Sequence, residues 1–125
     1  MINPVWYHLK GCACDSVRWE GFFHIPAASP WFDGHFPNNP VLPGVAMLCM
    51  VQDLLRKSTP QVMVKGFSRV RFRHIVRDNA NIHVRIVPKA NHGTNRYLFE
   101  ITGNACLICS GTVETDNPQQ GEMGI

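Results

Sequence analysis

Charge is scarce in this chain: Asp, Glu, Lys and Arg make up 17% of its 125 residues. Disordered segments are usually far more charged. Basic residues outnumber acidic ones by only 12 to 9, an excess too mild to demand a nucleic-acid partner. Long apolar runs are missing as well. The longest, residues 45–51, holds seven residues, whereas a membrane span needs about 20. The opening MINPVWYHLK carries neither the basic start nor the apolar stretch of a secretory signal. Cysteines number five (Cys12, Cys14, Cys49, Cys106 and Cys109), an odd count that suits reduced thiols better than a disulfide framework. Together these absences predict a cytoplasmic protein with no nucleic-acid or membrane partner. Two cysteine pairs, Cys12 with Cys14 and Cys106 with Cys109, are the candidate metal ligands. The second pair falls in a predicted strand, where positions i and i+3 face opposite ways, so no metal is expected.

What is present is enough apolar material for a core. Hydrophobic residues reach 45%, which suits one domain without staples. We place that domain at residues 1–116 and a polar, fraying tail at 117–125. There is no internal repeat and no low-complexity block. Residues 16–25, SVRWEGFFHI, have strand composition, and PVWYHLK is a further strand candidate. A single helix follows Pro43, a residue suited to a first helical turn. Residues 45–51 are apolar on every side, which predicts burial all round. Arg56 and Lys57 suit a helix C-terminus, and Ser58-Thr59-Pro60 stops it.

Everything beyond reads as strand. In VMVKGFSRVRFRHIV the alternation from Phe67 onward puts Ser68, Val70, Phe72 and His74 on one face and Arg69, Arg71 and Arg73 on the other. NIHVRIVPKA points Ile82, Val84 and Ile86 inward, and RYLFEIT and ACLICSGTVET follow after short turns. The predicted class is α+β: an antiparallel sheet of five or six strands curled around one central helix.

The most unusual run is GHFPNNPVLPGV, residues 34–45. It sets His35 on a loop stiffened by Pro37, Pro40 and Pro43, directly before the helix. A His-Phe-Pro turn, then Pro-Val-Leu-Pro-Gly-Val, then a buried helix, resembles the hot-dog-fold 3-hydroxyacyl-[acyl-carrier-protein] dehydratases, and especially their aryl-polyene-type relatives. The resemblance implies dehydration of an acyl thioester to the trans-2-enoyl form in fatty acid or related lipid or polyketide synthesis, without a cofactor. It implies an acyl carrier protein or coenzyme A thioester as partner, and a homodimer or higher homo-oligomer with an acyl tunnel at its interface. It assigns His35 as base, the Gly44 N–H as oxyanion donor, and Phe36, Pro43 and Val45 to substrate binding. The family's helix acid falls four residues after Val45, where this chain has Cys49.

That departure leaves three roles for Cys49. It is a weak proton donor, a nucleophile, or a small core residue where the acid was lost. Asp53 lies at i+4 on the same helix face, about 6 Å further along the axis. The arginine stripe is a solvated strand face or a docking patch for an acidic carrier. Two alternatives stand beside dehydration: a catalytically degenerate thioester-binding subunit, and a hot-dog thioesterase.

Overall fold

The computed structural model describes residues 6–14, 18–32, 41–89 and 95–116. Six strands and one long helix follow each other as β1 His8–Cys14, β2 Trp19–Ile25, α1 Gly44–Ser58, β3 Val64–Phe72, β4 Ala80–Pro88, β5 Arg96–Gly103 and β6 Cys106–Thr115, with a 3-10 turn at Pro30–Phe32. The strands make one sheet in the order β1-β2-β4-β5-β6-β3. Every neighbouring pair is antiparallel. No helix among the described residues is long and apolar enough to cross a membrane.

Alternation along the central strands builds the inner face. Phe23 and Ile25, then Ile82, Val84 and Ile86, then Phe99 and Ile101 are all buried. Against them lies α1, 15 residues long and so about 22 Å. Ala46, Met47, Met50, Val51, Leu54 and Leu55 are its buried residues. Truncating one of the larger of these to alanine would cost about 2–5 kcal/mol. Gly21 lets the helix settle close to the sheet, because a Cβ there would come within 3.0 Å of Leu54 Cδ1.

The helix is not buried all round, as its composition led us to expect. Val45 is 56% exposed, and Leu48 and Cys49 are only partly covered. The sheet wraps one side of α1, and among the described residues no other element covers Val45 on the opposite side.

The alternation predicted along β3 also fails, and the cause is a bulge. Ser68 pairs with Thr112 and Arg71 with Ser110, so β3 carries one more residue than β6 between those pairs. Arg69 takes up the extra length with φ 55°. Phe67 and Phe72, opposite the buried Val113 and Cys109, therefore share the inner face. Ser68 lies opposite to them, with Arg71, and His74 lies beyond the strand. The three arginines thus form no regular stripe.

The hairpin between β5 and β6 turns at Asn104 and Ala105, both with positive φ (50° and 62°). Two consecutive residues of that kind match the right-handed strand twist. Asn tolerates the conformation and alanine pays for its Cβ. The long strand predicted at 16–25 is observed as Trp19–Ile25; residues 15–17 lie outside the described set.

Candidate active site

The start of α1 is the most constrained point of the chain. Leu42 N donates to Val76 O at 2.7 Å, and Val41 bridges Arg77. These contacts hold the entering segment to the connector between β3 and β4. Pro43 is the extended residue just before the helix (φ −63°, ψ 146°), and no side chain among the described residues caps it. Its carbonyl accepts from Ala46 N at 3.0 Å. The first turn of a helix has N–H groups without intrahelical partners and a partial positive charge. Among the described residues, no side chain takes up those donors.

Gly44 opens that turn, and Phe72 lies across it. A Cβ on Gly44 would stand 2.7 Å from Phe72 Cζ, closer than any carbon contact allows. Glycine suits this position because of the close approach of the ring rather than because of backbone conformation. Around the helix start, Val45, Phe72 and Ile75 are 56%, 50% and 59% exposed. The donors therefore sit beside an apolar surface, an arrangement that suits a polar head on an aliphatic chain.

One turn into the helix lies Cys49, a free and partly covered thiol. Burial, and next the negative charge of Asp53, hold its pKa above the ordinary thiol value. Both causes favour the neutral S–H over the thiolate. A nucleophilic cysteine needs the reverse environment, so burial and the Asp53 charge do not favour that role.

Asp53 comes one further turn along, and the Tyr7 hydroxyl donates to its Oδ2. Burial raises the Tyr7 pKa most, followed by this hydrogen bond and the charges of Asp53 and Cys49. The Tyr7 ring packs edge-on against Phe23, 5.5 Å between centroids. Tyr7, Leu9, Phe23, Asp53, Arg56 and Lys57 line a cavity of about 340 Å³. Another groove, about 380 Å³, runs past Arg69, Arg85, Val87 and Leu98. Arg85, Val87 and Leu98 project from the sheet face turned away from the helix, and we do not assign that groove to the site.

Pro43, Gly44, Val45 and Cys49, four of the residues expected at the site, thus lie together at the helix start. His35 and Phe36 lie outside the described residues. Sequence reasoning missed Tyr7 and Phe72. Tyr7 meets Asp53 across 46 positions, a contact that no local pattern encodes. Phe72 was expected on a strand face, yet nothing in its spacing marks it as the neighbour of Gly44.

Known proteins resemble this chain in sequence and in fold. A family model described as ApeI-like, ApeI dehydratase, matches residues 13–112. The 3-hydroxyacyl-[acyl-carrier-protein] dehydratase FabZ of Shewanella frigidimarina is 30% identical over 103 residues, 72% of this chain and 67% of that protein. The FabZ of Caldicellulosiruptor bescii is 31% identical over 110 residues, covering 78% and 76%. Among solved structures, the dehydratase heterocomplex ApeI:P from Xenorhabdus doucetiae superposes with TM-score 0.75 at 17% identity, covering 91% of this chain and 98% of that one. The fluoroacetyl-CoA-specific thioesterase FlK superposes with TM-score 0.61 at 14% identity, covering 90% and 96%. At such identities these two likenesses speak for the hot-dog fold alone.

Proposed function

Because this chain belongs to the ApeI-like dehydratase family, we propose that it binds 3-hydroxyacyl thioesters and removes water from them to give trans-2-enoyl thioesters. The observation that carries this reading is the uncapped helix start at Gly44 with a neutral thiol one turn further in. The FabZ relatives support a thioester of acyl carrier protein; coenzyme A offers the same reacting group.

In this mechanism His35 takes the proton from the carbon next to the thioester carbonyl. Charge gathers on the thioester oxygen, where the first-turn N–H groups of α1 receive it. The electron pair then forms the carbon–carbon double bond, and the bond to the hydroxyl breaks. Cys49 S–H gives the departing hydroxide its proton, so that water leaves. The proton held by His35 then returns to the thiolate, and the site is restored. A thiol above its usual pKa is a poorer acid than a carboxyl, so turnover is slow compared with a relative carrying Asp or Glu at this position.

A second reading has one observation in its favour. The helix side at Val45 and Cys49, which the described residues leave exposed or only partly covered, suits a second protomer, and the ApeI:P neighbour is a heterocomplex. In that reading the chain is a thioester-binding subunit whose partner brings the acid; in the first, the partner is a second copy.

The experiment is a dehydration assay on a 3-hydroxyacyl thioester of acyl carrier protein, with sizing chromatography alongside. Wild type should turn over, His35→Ala should lose activity by about 100-fold or more, and Cys49→Glu should exceed wild type. A wild type that is inert alone and stays inert as Cys49→Glu would overturn the first reading. Release of free thiol without enoyl product would assign a thioesterase instead.

A further inference from the structure

The groove of about 380 Å³ on the sheet face turned away from α1 has no part in the acyl-thioester chemistry. Its floor follows from the register of β4, β5 and β6. Val87, Leu98 and Thr112 stand side by side in one row, and Arg85, Glu100 and Ser110 in the next. Leu98 is 42% exposed, so the groove shows solvent an apolar floor. Thr112 beside it is a buried polar residue. The volume falls in the range of small-molecule sites, about 300–1,000 Å³.

Two guanidinium groups border this floor from opposite sides. Arg85 comes from β4, and Arg69 from the bulge in β3, three strands away. Adjacent strands lie about 4.8 Å apart, so the two backbones are roughly 14 Å apart across the sheet. Neither cation has an ion pair among the described residues, where Arg18 and His83 pair with Glu20 and Arg96 with Glu114. Arg85 has a carboxylate opposite it on each side, Glu20 on β2 and Glu100 on β5. Glu20 is taken by His83 at 3.2 Å and Arg18 at 3.8 Å. Arg69 has no carboxylate across from it, because the bulge faces Thr112 and Ser110. Its φ of 55° is unfavourable for a residue with a Cβ, and a bulge re-aims the side chain it carries. The β3 side of the groove is therefore cationic and rich in hydroxyls, and the middle is apolar. On the β4 side Glu100 offsets Arg85.

We propose that this groove is a second binding site, for a small amphipathic anion: a carboxylate or phosphate carried on an aliphatic body. The head lies against Arg69, where charge-assisted hydrogen bonds form, with Ser110 and Thr112 beside it. The body crosses Leu98 toward Val87 and loses apolar surface to the floor. Arg85 adds a weaker attraction at the far end. Glu100 repels the anion and keeps its head on the β3 side. None of this depends on the chemistry at the start of α1.

The probes are octanoate and octyl phosphate, with octanol and octylamine as controls, each added to the full chain. An NMR titration of the backbone amides reports position, and calorimetry reports Kd. Both anions should saturate, with shifts at Leu98, Ser110 and Thr112; the tighter one assigns the head as carboxylate or phosphate. Octanol and octylamine should bind about tenfold more weakly or worse. Arg69→Asn, whose side chain tolerates a positive φ, should weaken octanoate by about tenfold or more. Arg85→Gln should weaken it less. Glu100→Gln should tighten it, by up to about fivefold.

If Arg69→Asn does not fold, Arg85→Gln and Glu100→Gln carry the comparison. The second site is overturned by an absence of saturation, by octanol binding as tightly as octanoate, or by affinities that none of the variants moves. Shifts confined to Gly44, Val45 and Cys49 also overturn it, since the anion then occupies the helix start. So does a dimer in sizing chromatography that Leu98→Asp breaks, because a second copy then covers this face. Each of these results leaves the dehydration reading as it stands.

Discussion

Replacing Gly44 with alanine places a methyl group where Phe72 already lies. The new carbon would sit 2.7, 2.9 and 3.1 Å from three atoms of the ring, against about 3.5–4.0 Å for a relaxed carbon contact. The ring must retreat by roughly 1 Å. Overpacking of this kind costs about 1–3 kcal/mol. Phe72 is 50% exposed and can swing toward solvent, which puts the cost at the low end. Alanine also recovers part of the 0.5–1 kcal/mol or so that glycine loses in a helix. The net expectation is a loss of about 0.5 kcal/mol, or a fall in Tm of about 2 °C for a domain of this size. Phe72→Ala removes the obstacle, and in that background Gly44→Ala should be neutral or stabilising. Urea unfolding of wild type, both single variants and the double variant measures the coupling, expected near 1–2 kcal/mol. Strict additivity of the two substitutions would refute the packing of Phe72 over the helix start.

Two further outcomes follow from the sheet. Ala105→Gly should raise stability by about 1 kcal/mol, read by urea unfolding, because alanine sits at φ 62° in a region that costs L-residues about 1–2 kcal/mol. Cys109 is fully buried, and burial pushes its thiol from 9.0 up to about 11. Its folded pKa is raised, so its contribution is fully present below pH 9 and is lost as pH rises from about 9 to 11. The loss approaches about 3 kcal/mol. Unfolding at pH 8 and pH 11 should show that slope in wild type and a shallower one in Cys109→Ala; equal slopes would contradict it.

The helix and its sheet were legible because their periodicities are strong. Ile82, Val84 and Ile86 alternate as a half-buried strand must, and their burial follows. The stop at Ser58 and Thr59 likewise reflects local chemistry. The misreadings have physical causes of another kind. Residues 45–51 are apolar all round, and composition cannot tell a side covered by this chain's own sheet from one left uncovered. Along β3 the pattern of arginines looked regular, but one inserted residue at Arg69 shifted the faces. A bulge changes register without changing composition, so alternation alone does not disclose it. At the site, Gly44 and Cys49 were found through the motif around them. Phe72 at the end of β3 and Tyr7 just before β1 are brought near α1 only by the fold.

The bridge between Val41 and Arg77, with the Leu42 to Val76 hydrogen bond beside it, joins two parts of the molecule with different fates. One is the donor end of α1, where chemistry would take place. The other is the connector leaving β3, the strand at an open edge of the sheet. The main-chain contacts at Val41 and Leu42 thus fix where the helix start stands relative to the end of an edge strand, the place where a sheet can accept a further strand.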